Sequence, residues 1–114
     1  VEGLFLKGCR NLVVAYGTTA RSALEAIQEL HAKGMTDIGF LRLKTLWPFA
    51  ENKIRSMVGQ IQNIFFPEMN LGYMLHPLRE ALRDRVQRFI PIPSLGQLHG
   101  PDQIIQKIEE VLGM

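Results

Sequence analysis

The residues best placed to do chemistry follow an apolar run: Ile64-Phe65-Phe66-Pro67 gives way to Glu68, Met69 and Asn70, with Leu71 and Gly72 behind them. A carboxylate there can serve as a general base, accept a hydrogen bond from a ligand, or receive N–H groups from its own turn, and with no catalytic pair evident a structural or interface role is favoured; Asn70 most simply caps a following helix. A second such point is Tyr16-Gly17-Thr18-Thr19-Ala20-Arg21, where glycine gives close backbone access and Thr18 or Thr19 can cap the helix that follows. The free N–H groups and positive dipole end of that helix favour a phosphate or a carboxylate. A third is Trp47-Pro48-Phe49, whose aromatic rings suit a core plug or a subunit interface better than a stack on a nucleotide.

Other chemistries lack their parts. His31, His76 and His99 fall in separate segments with no metal-ligand spacing, so no metal site is expected. Cys9 is the lone cysteine, which excludes an internal disulfide and an iron–sulfur cluster built from this chain, and fits a reducing compartment. Ser22, Ser56 and Ser94 stand in no G-x-S-x-G elbow, and neither a G-x-G-x-x-G nor a P-loop pattern occurs. No catalytic residue is assigned. Arg79, Arg83, Arg85 and Arg88 form the main basic cluster and read as a solvated helix end paired with Glu80 and Asp84.

Thirteen Lys and Arg against eleven Asp and Glu leave a formal charge of +2, too small to argue for nucleic acid. No apolar run approaches the ~18–20 residues that cross a bilayer. The expectation is a cytoplasmic protein with neither a membrane nor a nucleic acid as partner. With 114 residues, 46% of them apolar, residues 1–114 make one domain with one core. The opening Val1-Glu2-Gly3, without an initiator methionine, points to a piece of a longer chain.

The elements that must position these residues alternate. Leu12–Tyr16 is a nearly continuous apolar run of the kind covered on both faces in a parallel sheet. Residues 20–33 carry Ala23, Leu24, Ile27 and Leu30 at helical spacing, with Gly34 as a stop. Residues 38–43 read as a strand, and Ile54, Met57, Val58 and Ile61 as the apolar stripe of a helix opened by Pro48. Strand 63–68, helix 71–84, strand 86–92 and a helix starting at Pro101 with Ile104, Ile105, Ile108, Val111 and Leu112 complete the series. Short connections between alternating strands and helices specify an α/β sandwich with four parallel main strands. The segments after Tyr16, Leu43 and Glu68 then share one edge, beyond the carboxyl ends of the strands.

In order and spacing, Ala15-Tyr16-Gly17-Thr18-Thr19-Ala20-Arg21, Leu43-Lys44-Thr45-Leu46-Trp47-Pro48-Phe49 and Glu68-Met69-Asn70-Leu71-Gly72 resemble the C-terminal domain of 2-oxoacid:ferredoxin oxidoreductase alpha subunits, over residues ~9–112. The resemblance implies a three-layer α/β/α sandwich like the transketolase C-terminal domain. Its mostly parallel five-stranded sheet would run in order 1-3-2-4-5, with residues 4–7 as a short antiparallel edge strand. Gly17, Thr18, Thr19, Glu68 and Asn70 would then border one crevice, with Trp47, Pro48, Phe49 and Tyr73 at interfaces. Enzymes of this family decarboxylate a 2-oxoacid such as 2-oxoglutarate or pyruvate on thiamine diphosphate and magnesium, reduce ferredoxin through iron–sulfur clusters and pass the acyl group to coenzyme A. The resemblance implies that the rest of an alpha subunit, a beta subunit and in some assemblies gamma and delta subunits are the partners. It also implies that this domain binds none of those cofactors and is inert alone, since a Gly-Asp-Gly motif is absent.

Two positions depart from the family. Pro67 stands where an aliphatic residue is usual and removes a ladder N–H beside Glu68. Tyr73 replaces a common glutamine, in part able to substitute for its polar task through the hydroxyl. Two alternatives stay open: an independent anion- or phosphate-binding module at Gly17, and the equivalent domain of another thiamine-dependent, transketolase-like enzyme.

Overall fold

A computed structural model of the chain describes residues 2–17, 19–44, 51–68, 75–93 and 100–113, the side chains of Glu68, Leu75, His76 and Pro93 excepted. The elements are β1 (Glu2–Leu4), β2 (Asn11–Tyr16), α1 (Thr19–Ala32), β3 (Ile38–Leu43), α2 (Glu51–Met57), β4 (Ile61–Glu68), α3 (Leu75–Leu82), β5 (Val86–Pro93) and α4 (Pro101–Leu112). The strands lie in order β1-β3-β2-β4-β5, with β1 antiparallel to β3 and every other pair parallel.

The layers follow from side-chain alternation along β2. Leu12, Val13, Val14 and Ala15 have no exposed surface, as a strand roofed on both faces requires. Leu12 and Val14 join a core with Leu41, Ile64 and Phe66 against Ile54 of α2 and Leu78, Ala81 and Leu82 of α3. Val13 and Ala15 join a second core with Phe40, Phe65 and Ile92 against Ala23, Ile27 and Leu30 of α1 and Ile104, Ile105 and Ile108 of α4. Handedness accounts for the division: the chain steps from β2 outward to β3, then back across β2 to β4, and right-handed crossovers in opposite directions lie on opposite faces.

Two boundaries differ most from the sequence reading, the others moving by one or two residues where they are described. The edge strand is Glu2–Leu4 rather than residues 4–7, because Phe5 takes a left-handed φ of 57° and ends it. The chain then turns, with the Cys9 N–H donating to the Leu6 carbonyl at 3.3 Å. Ile61, placed on the helical stripe of Ile54 and Val58, instead opens β4, and its N–H donates to the Arg85 carbonyl at 2.9 Å. Its spacing from Ile54 imitated one more helical turn, but the helix ends at Met57 and Gly59 follows.

The basic cluster is also reassigned. Asp84 pairs with Arg55 of α2: Nη1 donates to Oδ1 at 2.8 Å and Nη2 to Oδ2 at 3.1 Å, while Nη1 also donates to the Ala81 carbonyl at 2.7 Å. Arg85 reciprocates, donating to the Arg55 carbonyl and, at 2.7 Å, to the Val58 carbonyl. Each arginine thus satisfies carbonyls at the end of the other helix. Arg79 lies over the Phe89 ring, 5.7 Å from its centroid.

The Arg55 hydrogen bonds hold the Asp84 carboxyl down at a pKa of about 2. A depressed carboxyl pKa contributes stability above its unfolded value and loses it as pH falls through the folded one. The urea midpoint of the wild type should therefore exceed that of Asp84→Asn by a constant margin above about pH 5, and the margin should close between about pH 4 and pH 2. A margin independent of pH would contradict this pairing.

A candidate site at the carboxyl edge

Parallel pairing sets Tyr16, Leu43, Glu68 and Pro93 along one edge of the sheet, where β2–β3 and β4–β5 stay in register to the last residue: Tyr16↔Leu43 and Glu68↔Pro93. Between them, β2 and β4 pair only through Asn11↔Asn63, Leu12↔Ile64 and Val13↔Phe65. The two strands therefore part before their carboxyl ends. From there the chain leaves β2 for α1 on one face and α3 packs on the other, so the gap lies at a topological switch point.

Pro67 explains the parting. The Asn63 N–H donates to the Arg10 carbonyl of the segment leading into β2, at 3.4 Å. With a period of two, positions 65 and 67 turn the same way. Position 67 would next donate to Val14, and proline has no N–H. Pro67→Val should restore that bond, extend the β2–β4 ladder by a pair and raise stability by about 1 kcal/mol. A protected amide at position 67 of the variant, slower amide exchange at its neighbours and a higher urea midpoint are the expected result.

Of the residues singled out from the sequence, the structure brings Gly17 and Glu68 to the ends of adjacent strands. Gly17 has φ +67°, a conformation open to glycine and strained for other residues, and its carbonyl accepts the Ala20 N–H at 3.1 Å. Thr19 opens α1, buried, with its hydroxyl donating to the Tyr16 carbonyl at 2.6 Å. That proton is committed to the backbone. Thr18 and Asn70 of the crevice, and Trp47, Pro48, Phe49 and Tyr73 of the interface set, lie outside the described residues, as does the Glu68 side chain.

Sequence reading passed over the outer flank of the same edge. There a groove of about 820 Å³ is lined by Glu2, Leu4, Gly17, Ala20, Arg21, Ser22, Leu24, Phe40 and Arg42. The Lys44 ammonium contacts Glu2 at 2.6 Å, and this hydrogen-bonded pair holds the Glu2 carboxyl below the ordinary range. A signal was present: Arg42 is the one charge in an otherwise apolar β3, and α1 opens with Arg21 and no acidic residue in its first turn.

The fold is shared with known proteins. Residues 10–108 match the model of the family described as pyruvate:ferredoxin oxidoreductase core domain II. The chain belongs to this family. The core domain II chain is 30% identical over 97 residues to the 2-oxoglutarate synthase subunit KorA of Methanothermobacter marburgensis, covering 84% of this chain and 25% of that protein. It is 31% identical over 102 residues to the ketoisovalerate oxidoreductase subunit VorB of Methanothermobacter thermautotrophicus, covering 90% of this chain and 28% of that one. The core domain II chain thus spans about a quarter of the length of these relatives.

Among solved structures it resembles the 2-oxoglutarate:ferredoxin oxidoreductase of Magnetococcus marinus, determined with 2-oxoglutarate, coenzyme A and succinyl-CoA bound: TM-score 0.81, 23% identity, covering 96% of this chain and 19% of that one. A split-gene transketolase shares the fold at a TM-score of 0.66 and 14% identity, covering 98% of this chain and 41% of that one. The expected sandwich, like the transketolase C-terminal domain and with an antiparallel edge strand, is the fold found.

Proposed function

We propose that this chain is the packing and assembly domain of the alpha-type subunit of a 2-oxoacid:ferredoxin oxidoreductase. The whole enzyme oxidatively decarboxylates a 2-oxoacid, 2-oxoglutarate or pyruvate, to the acyl-CoA and reduces ferredoxin. The observation that carries this reading is the family match over residues 10–108, on a sheet with the order its relatives' fold implies. The relatives' names, oxidoreductase and synthase subunits acting on 2-oxoacids, favour this reading over another transketolase-like enzyme.

Thiamine diphosphate, magnesium, iron–sulfur clusters and coenzyme A belong, on this proposal, to the other domains and subunits. Residues present here do not fit a cluster: Cys9 is the single cysteine, 7% exposed, and burial pushes its thiol pKa up, away from the thiolate a metal needs. The role left to the chain is positional. It presents the Gly17 turn and the end of β4 as a wall of the crevice, and the Trp47-Pro48-Phe49 segment and Tyr73 as contacts. A cytoplasmic, multisubunit enzyme is the setting. Among the described residues no helix is long and apolar enough to cross a membrane.

The chain, mixed with the rest of the alpha-type subunit and the beta subunit, should elute as one stoichiometric complex in size-exclusion chromatography with light scattering. Separate elution of all components would defeat the assembly role. The independent anion-binding module has one feature in its favour, the positive-φ Gly17 at a helix start. Calorimetric titration of the chain with phosphate, coenzyme A and thiamine diphosphate tests it, and saturable heat lost in Thr18→Ala would favour it over the packing role.

A further inference from the structure

Among the described residues, no helix covers the β1 rim on the face of the sheet roofed by α1 and α4. Five strands at ~4.8 Å spacing make a sheet ~24 Å wide, and two helices of ~10 Å cover ~20 Å of it. On the other face the rim is closed: a Cβ added at Gly3 would meet Leu6 and come within 2.9 Å of Met57 Cε. On the α1 face Leu4 remains 44% exposed in the 820 Å³ groove, whose apolar side is Leu4, Leu24 and Phe40, while Phe5 next to it stacks on the His31 ring at a centroid distance of 4.1 Å. Large exposed apolar side chains grouped at a groove mark a contact surface.

The mouth of the groove decides the partner's chemistry. Arg21 and Arg42 line the groove with one carboxylate, Glu2, which the Lys44 ammonium already holds. Arg21 and Arg42 are exposed, and Arg21 stands in the first turn of α1, where the helix dipole disfavours a cation and no acidic residue shares the turn. A carboxylate brought from outside would relieve both charges and fit the apolar floor beside them.

We propose that this groove seats an acidic, amphipathic segment of the oxidoreductase beyond the residues of this chain, its apolar side against Leu4 and Leu24 and its carboxylates against Arg21 and Arg42. The inference rests on the assembly reading above, in which relatives about four times as long supply the segment. It assigns an interface to the outer flank of α1, apart from the crevice between β2 and β4.

The test compares the chain alone with the chain bound to the remaining alpha-type portion and the beta subunit. Amides of residues 2–4 and 20–24 should exchange at least about tenfold more slowly in the complex. Arg21→Glu combined with Arg42→Glu should weaken assembly by about tenfold or more at ~0.1 M salt and by less at ~0.5 M. Both positions are exposed and the two reversals act on stability in opposite senses, one favourable at the start of α1 and one unfavourable beside Glu2, so the thermal midpoint of the double variant should stay within a few degrees of the wild type and separate lost binding from lost folding. A complex that forms with these amides unprotected and with wild-type affinity in the double variant overturns the inference while leaving the assembly role standing. Absence of any complex with the wild-type chain overturns both.

Discussion

Phe65→Ala should lower the unfolding free energy by about 3–5 kcal/mol, the cost of deleting a fully buried aromatic ring and leaving a cavity behind. Phe65 has no exposed surface, pairs with Val13 in β2 and Ile90 in β5, and packs in the core under α1 and α4. That core holds α1 on the sheet, and α1 carries one side of the groove. A domain of this size has only about 5–15 kcal/mol to lose. Urea unfolding followed by circular dichroism should show the midpoint fall while the slope stays unchanged. Assembly should be lost over the same urea range. A loss below about 1 kcal/mol would mean that the cavity collapses and that this layer is not the close-packed centre described.

Asn63→Val should cost about 2 kcal/mol, through a different mechanism. At the amino edge of the sheet, the Asn63 amide donates to Asn11 Oδ1 at 2.9 Å, and Arg88 Nε donates to Asn63 Oδ1 at 3.0 Å. These three residues are register partners on β2, β4 and β5, and Asn11 and Asn63 are buried. Valine fills the space but leaves the Asn11 oxygen without this donor and Arg88 without this acceptor. Asn63→Asp should recover part of the loss, because a carboxylate still accepts from Arg88 and from an Asn11 amide turned to donate. Equal losses for the two variants would show that packing, not the polar ladder, sets the cost.

With the Arg55–Asp84 and Arg85 braces between α2 and α3, this ladder ties the amino ends of the strands together through polar contacts. At the other edge the β2–β4 ladder stops at Phe65.

How much of this was legible followed physical range. The residues 12–15 run could belong only to a doubly covered strand, and the helix stripes of α1 and α4 survive in the core as Ala23, Ile27 and Leu30 and as Ile104, Ile105 and Ile108. Strand order 1-3-2-4-5 came with the resemblance to a family, since periodicity carries no information on which strands are neighbours. The edge strand slipped by two residues because Phe5 adopts φ 57°, which a bulky side chain rarely does and no local pattern announces. Asp84 was read against its own helix, whereas its partner Arg55 is 29 residues away. Pro67 was flagged as an irregularity, and its consequence needed the register: only that shows its missing N–H would face β2. The groove at Arg21 and Arg42 was missed because each arginine alone looks like a solvated charge.

The most direct measurement is 2-oxoacid-dependent viologen reduction by the alpha-type portion lacking this domain, assembled with the beta subunit and supplied with coenzyme A, with and without the chain. The account predicts no reduction by the chain alone and a clear gain in rate when it is added, saturating at one chain per alpha-type portion. A rate unchanged by the chain, in an assembly competent for its other partial reactions, would contradict it.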